Sequence, residues 1–417
     1  MVTDAAAPAG CEVAVIGAGV VGLAAAWRLA EAGVRVVVLD AVGVAGSASS
    51  RNAGLIDAPG WSARSDLDTL LKMGSLALYE RLEHDGFDLE LERSGRLCLA
   101  TTEAEVALAA VTAAAAADAE LLDAAAARRI EPGLGPSVLA AVWTPGSAHA
   151  DPVRACAALA ATADRAGARI AAPARVVAID GRPEGGARLS LSGDRVLDAE
   201  AVLVAAGAWT DTVVRSLGAG IDLPVVGVAG QMWATAPQPP GTVRTTITAM
   251  ESSLAWSTGG HALTHDDQGR RTRHLYGRQR RNGEIVFDGD RVLLGGDDVA
   301  GRAPDHDPAV DAEGIAVNHA HAASLLPALG DLRPVRTWSG VMPFTVDGLP
   351  LIGAVDGVPG LFVAGGLASS GFNRGPMTGW LAADLMLGRD VPPEVRSARP
   401  GAARGATAGP AARPGGR

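Results

Sequence analysis

Three glycines, Gly17, Gly19 and Gly22, stand as G-x-G-x-x-G in "CEVAVIGAGVVGLAAAWRLAEAGVRVVVLD", and Asp40 follows 18 residues after the last of them. The chemistry of this spacing is phosphate binding. Gly17 permits a tight turn, Gly19 lets backbone approach a pyrophosphate, and Gly22 lets a helix pack closely on a strand. Ala18, Val20 and Val21 complete a loop whose helix N-terminus offers N–H groups and partial positive charge to phosphates. Asp40, ending the second strand, would accept hydrogen bonds from ribose hydroxyls. The flanks agree: an apolar "EVAVIG", a helix period through Leu23, Trp27 and Leu29, then "RVVVLD". The motif alone does not distinguish a flavin from a nicotinamide dinucleotide.

Other groupings carry less chemistry. His261 and His265 in "HALTH" have i, i+4 spacing but no third ligand. His319 and His321 cannot share a helix face, and Ser369–Ser370 lacks the strand-to-helix turn of a nucleophile. His149 precedes a helix cap and reads as structural. The three cysteines, Cys11, Cys98 and Cys156, show neither paired nor metal-type spacing, which suits a reducing compartment. Lys72 is the only lysine. The basic run "RRTRHLYGRQRR" is either a solvated hairpin or an anion site.

The elements that must position these residues can be read from the pattern. A chain of 417 residues with 48% hydrophobic and 20% charged content is globular and expected to have two intertwined domains. A net charge of −10 argues against nucleic acid and anionic membranes as partners. No segment is apolar enough to insert in a bilayer, and no signal peptide is visible, so a cytoplasmic protein is expected. An amphipathic helix carries Leu67, Leu70, Leu71, Leu78 and Leu82, with Lys72 between core positions Leu71 and Met73. "GFDLELERSGRLCLATTEAE" alternates as strands of a different sheet, and an Ala-rich helical region runs to about 130. Asp151 caps a helix with Pro152 in its first turn. "AVLVAAGAWTD" reads as a central strand, and a helix is expected near 309–326. "SGVMPFTVDGLPLIG" (Ser339–Gly353) is too apolar for a surface loop and too broken for a long strand. The expected fold is α/β, a Rossmann-like domain over 1–85, 147–221 and 334–390, interleaved with a mixed-sheet α+β substrate domain over 86–146 and 222–333. Residues 391–417 read as a disordered tail.

The G-x-G-x-x-G unit, "SSRNAGLI", "DPVRACAALAATADRAGARI", "VLVAAGAWTD" and "DGLPLIG…GLFVAGG…SGFNRGPMTGWLAADLM" occur in an order that resembles the D-amino-acid oxidase-like family of FAD-dependent oxidoreductases. Glycine oxidases, sarcosine oxidases and D-amino-acid dehydrogenases belong to it. The resemblance spans the chain to about 388 and is weakest over 222–333. It implies the adenine half of FAD on Gly17–Asp40, and flavin contacts from Ser49, Ser50, Arg51, Asn52 and Ala53. It further implies contacts from Val176, Ala206, Gly207 and Trp209. Gly340 and Met342 would wrap the flavin's reactive end, with the loop from Gly366 through Ser370, Gly371, Phe372 and Asn373 across its ring. A helix starting near Arg374 would aim its N-terminus at the N1–C2=O edge.

The chain departs from that pattern where substrates are held. The cysteine some members use for covalent attachment falls on Gly340, so FAD is expected to be non-covalent. The family's carboxylate-gripping arginine falls on Met342, the glycine oxidases' second arginine on Ser369, and the sarcosine oxidases' lysine on Asn373. Either the substrate carries no α-carboxylate, with Met342 as a soft apolar wall, or Arg51, Arg278 or Arg374 grips one from another side. His274, Tyr276, Arg278 and Arg280 would share one strand face, which alternation does not place inside or outside. The expected reaction is oxidation of a C–N bond in an amine or N-substituted amino acid. Hydride passes to flavin N5, the resulting imine is hydrolysed, and oxygen or another acceptor takes the electrons. The expected pocket is Tyr276, Arg278, Met342, Ser369, Asn373 and Arg374. Two alternatives stay open: oxidation of a 2-hydroxy acid or of a plain D-amino acid or glycine, with His274 or His261 as base for the hydroxy acid, and a flavin-binding module without turnover.

Overall fold

Strand β1 (Gly10–Ile16), helix α1 (Val20–Glu31) and strand β2 (Val36–Leu39) form one parallel unit in the computed structural model, which describes residues 10–57, 65–116, 118–183, 185–218, 220–250, 275–294, 310–345 and 347–401. Both strands are buried apolar runs, as a parallel sheet covered on two faces requires. β1 pairs in parallel with β11 (Arg195–Val204), and β2 with β8 (Arg169–Ala171). Beyond β11 lie β18 (Leu361–Gly365) and β17 (Leu351–Ala354), while β9 (Val176–Gly181) and β10 (Ala187–Leu191) extend the far half of β11 antiparallel.

The second sheet runs in the order β16 (Arg336–Thr345), β12 (Val225–Ala234), β15 (Ile285–Leu293), β14 (Tyr276–Gln279), β13 (Thr246–Ala249), β4 (Arg96–Ala100), β6 (Ala140–Thr144) and β5 (Glu120–Asp123). The Ala-rich region contains β5 between helices α3 (Glu103–Ala115) and α4 (Ala124–Ile130), a strand its composition hides. The segment Ser339–Thr345, read as too broken for a long strand, lies inside ten-residue β16. Its Pro343 is tolerated because β16 is an edge strand among the described residues, where it pairs with β12 alone. The chain therefore stays in the second sheet to Thr345 and does not leave it at 334. A two-stranded sheet, β3 (Leu55–Ile56) with β7 (Ala148–His149), ties the two bodies together.

Five further helices among the described residues cover these sheets or join them. α5 (Pro152–Arg165) starts as read, with Asp151 Oδ1 accepting from Val153 and Arg154 N–H. α6 (Thr210–Arg215) follows β11, and α7 (Ala312–Leu325) packs on the second sheet, Trp233 Nε1 donating to Asn318 Oδ1 at 2.6 Å. α8 (Gly371–Met386) crosses α1 so closely that a Cβ on Gly379 would lie 2.0 Å from Val21 O. Helix α2 (Asp66–His84) completes α8: Pro376 has no N–H for the Phe372 carbonyl four residues back, and Tyr79 Oη donates to it at 2.9 Å instead. Met377 N–H donates to Ser75 Oγ. Part of the segment read as a disordered tail is ordered: Pro393–Ala398 forms a short 3-10 turn with Val395 and Ala398 buried. No helix among the described residues is long and apolar enough to cross a membrane.

His149 sits buried in β7, its Nδ1 3.0 Å from Ser94 Oγ. Burial, then the nearby Arg278 and Arg281, push its pKa down to about 3. The unfolded chain takes up that proton near pH 6.5, so stability is complete above that pH and falls as pH drops toward 3. Between pH 7.5 and 5 this residue alone removes about 2 kcal/mol. Urea unfolding of the wild type and of His149→Gln at pH 7.5, 6 and 5 reads the difference in slope; parallel curves would refute it. Gly379→Ala should cost about 3 kcal/mol by forcing α8 off α1, measured by the same unfolding; an unchanged midpoint would mean the crossing is looser.

Candidate functional site

Glycine geometry at the start of α1 leaves no room for side chains. Gly17 has φ +116°, and a Cβ there would lie 2.3 Å from Ala205 O; on Gly22 it would lie 1.9 Å from Gly17 O. Gly19 instead faces Ser49, whose Oγ accepts from Val20 N–H at 3.2 Å. Asp40 holds this loop together, Oδ2 accepting from Ala18 N–H at 2.8 Å and Oδ1 from Val42 and Gly43.

A cavity of about 630 Å³ opens at the carboxyl ends of the parallel strands and runs under the second sheet. From the motif, Gly17, Gly19, Val20, Val21 and Asp40 line it; Ala18 and Gly22 pack behind them. Ser49, Arg51 and Asn52 also line it, whereas Ser50 turns away, its Oγ donating to Ala45 O, and Ala53 is covered. Val176, Ala206, Gly207, Trp209 and Gly340 reach it as well. At the far end stand Tyr276, Met342 and the run Ser369–Arg374, while Gly366 does not line it. α8 starts at Gly371, three residues earlier than expected. The cysteines are buried, and none lines the cavity.

The arginines proposed as carboxylate anchors are committed elsewhere. Arg278 is 2% exposed and lies outside the cavity lining. Its Nε donates to Ala53 O at 2.6 Å and its Nη2 to Ala150 O at 3.0 Å, and burial pushes its pKa down to about 10. Tyr276, on the same strand face, accepts from Ala53 N–H at 3.3 Å, so one strand clamps both sides of that residue. Arg51 donates to Ser339 O and Gly46 O. Arg374 pairs with Asp68 at 2.9 Å and donates to Leu367 O. From the basic run, Arg281 pairs with Asp88 and Glu92 at the surface, and His274, His261 and His265 lie outside the described residues.

The sequence reading missed a buried charge cluster in the cavity wall. Asp57 meets Arg96 Nη1, accepts from Asn373 Nδ2 at 3.2 Å, and lies 3.8 Å from Lys72 Nζ. Lys72 also pairs with Asp68 at 2.9 Å, and Asp68 bridges on to Arg374. Lys72 and Arg96 are each 2% exposed. Burial raises the pKa of Asp68, but Lys72 and Arg374 outweigh it and leave the carboxyl below its ordinary range. The i, i+4 pair Asp68–Lys72 within an apolar helix face was a legible signal: Lys72 points inward, and Met73 is exposed at 41%. Among the described residues, no group of three His, Cys, Asp or Glu side chains could hold a metal.

The site fits a dinucleotide. Two helix N-termini, whose cap residues Gly19 and Ser370 make no side-chain capping bond, open on one cavity, and its glycine cradle would be filled by any Cβ.

Comparison with known proteins agrees with this geometry. The chain is 30% identical to the glycine oxidase of Geobacillus kaustophilus over 388 residues, covering 90% of this chain and 92% of that one. The crystal structure of glycine oxidase from that organism superposes with a TM-score of 0.77 at 27% identity, covering 92% of this chain and 96% of the other. Iminodiacetate oxidase from Chelativorans shares the fold, with a TM-score of 0.76 at 24% identity over 93% of this chain and 99% of that one. The family model described as FAD dependent oxidoreductase matches residues 12–385, and the chain belongs to that family.

Proposed function

We propose that this FAD-dependent enzyme oxidises the C–N bond of a secondary or N-substituted amine whose binding needs no arginine at the family's anchor positions. One observation carries the reading. Met342, Ser369 and Asn373 occupy the expected anchor places in the cavity wall, and Arg51, Arg278 and Arg374 are held by carbonyls or by Asp68. Met342 packs with Val228, Phe344 and Ala368, an apolar wall suited to an alkyl group on nitrogen.

In this proposal Gly17–Val21 hold the pyrophosphate, Asp40 the ribose, and Ser49, Arg51 and Asn52 the flavin. FAD, bound without a covalent link, supplies the hydride acceptor. The chain's own contributions are positional. The N-terminal turn of α8 would offer N–H groups and partial positive charge to the flavin, which stabilises the negative charge of its reduced form. Tyr276 and Arg278 fix Ala53, and with it the Ser49–Ala53 loop that would hold the flavin. Met342 and the neighbouring apolar strand residues exclude water from the reacting carbon. An amine bound in its neutral form expels the hydride with its own lone pair, so the chain needs no dedicated base. Water then hydrolyses the imine, and oxygen or another acceptor takes the electrons.

A second reading is favoured by Lys72 and Arg96, which line the same cavity. In it an ordinary amino acid lays its carboxylate against that cluster. Anaerobic bleaching of the flavin absorbance separates the two. Amines without carboxylate, or N-substituted ones, should bleach at least ~10-fold faster than glycine or D-amino acids, one pocket contact being worth about that much. Faster bleaching by plain amino acids would overturn the first reading in favour of the second.

A further inference from the structure

The neighbouring strands β12 and β16 share one face toward the cavity, and their register shows a gap in it. Val226 pairs with Phe344, Val228 with Met342, Gly230 with Gly340, and Met232 with Trp338. Residues paired in register project to the same face. The first two pairs belong to one apolar patch, and the last pair to another that includes Ala53 and Tyr276. Between the patches stand two facing glycines, so no side chain rises there from either strand. Gly230, Met232, Gly340 and Met342 all line the cavity. The gap is filled from the side. A Cβ on Gly340 would lie 3.5 Å from the stem of Arg51. A Cβ on Gly230 would lie 2.8 Å from Met342 Cε, so the thioether lies across that glycine. Gly230 sits in a strand and has no left-handed backbone, so space is what opposes a side chain there.

We propose that Gly230 and Met342 act as a pair that sets the size of the apolar group the enzyme accepts on an amine substrate. Methionine is unbranched and turns about several side-chain bonds, so it takes up whatever space its neighbours leave. While Met342 lies over Gly230, its bulk is withdrawn from the cavity, and room is left beside it for a substituent. A side chain on Gly230 would lift the thioether. With Val228, Phe344 and Ala368 packed beside it, the lifted group moves into the cavity that it lines. Taking one methyl-sized volume from an apolar pocket penalises groups that need that volume and spares those that do not. The substrate class is therefore a secondary amine bearing an unbranched or flat apolar group larger than methyl. This deepens the amine-oxidation reading and rests on it.

The test uses the FAD-loaded full chain with dimethylamine, N-methylpropylamine, N-methylbenzylamine and N-methyl-1-naphthylmethylamine under anaerobic conditions. Perturbation of the flavin absorbance reports binding, and its bleaching reports oxidation. The wild type should bind the propyl and benzyl amines more tightly than dimethylamine. Gly230→Ala should lower the benzyl-to-dimethyl affinity ratio about 10-fold or more. Adding Met342→Ala to that variant should return the ratio to within about 3-fold of the wild type, which repair of a general folding defect would not do. Equal wild-type affinity for dimethyl, propyl and benzyl amines overturns the proposal whatever the variants do. So does an equal loss for all three in Gly230→Ala, or a selective loss that Met342→Ala leaves unrepaired. If Gly230→Ala does not hold FAD, Met342→Ala alone decides. It should raise the naphthylmethyl-to-benzyl ratio about 10-fold or more, and an unchanged ratio overturns the proposal. The expected size pattern in binding without bleaching supports the pair and refutes amine oxidation. Bleaching whose size dependence ignores both residues refutes the pair and leaves amine oxidation standing.

Discussion

How α8 begins governs the rest of the site. Its second turn contains Pro376, which leaves the Phe372 carbonyl without a helical partner, and Tyr79 of α2 supplies the missing donor. The first turn carries Asn373 and Arg374 into the buried charges, while Gly375 and Gly379 let α8 lie against α1. Two helix N-termini are thereby brought to one cavity, with Gly379 against the Val21 carbonyl and Gly375 against the Val20 side chain. Larger residues at the crossing would separate the two ends of the dinucleotide site.

The buried cluster of Asp57, Asp68, Lys72, Arg96 and Arg374 follows from that arrangement. Each charge is removed from water, which is tolerable because each has an opposite neighbour within the cluster. Removing any one partner would leave a charge exposed to a low dielectric, so the group behaves as a unit. It joins the strand carrying Arg96, the α2 face and the first turn of α8, three parts of the chain that are distant in sequence. Arg278 does comparable work with neutral partners, spending its donors on carbonyls of Ala53 and Ala150.

The site is therefore asymmetric in what it offers a ligand. Its nucleotide half is backbone, shaped by glycines. Its far half is side chain: Met342 in an apolar patch, Tyr276 and Asp288 on one strand row, and a charge-matched cluster at the wall. Relatives with the same fold can differ there without disturbing the first half, because the row positions lie on the second sheet and the cradle on the first.

The sequence by itself determined the glycine cradle, Asp40, the Asp151–Pro152 helix start and the order of the elements. These depend on φ angles, hydrophobic periods and caps that act within a few residues, so local composition encodes them. It also carried the family likeness, which fixed the cofactor. The tertiary structure decided what long-range pairing controls. Arg278 meets Ala53 across 225 residues and Asn373 meets Asp57 across 316. Alternation could say that Tyr276 and Arg278 share a face, but only the sheet's register put Asp288 beside Tyr276 and turned that face to the cavity. Pro343 needed the same information, since a proline is compatible with a strand only when that strand is an edge.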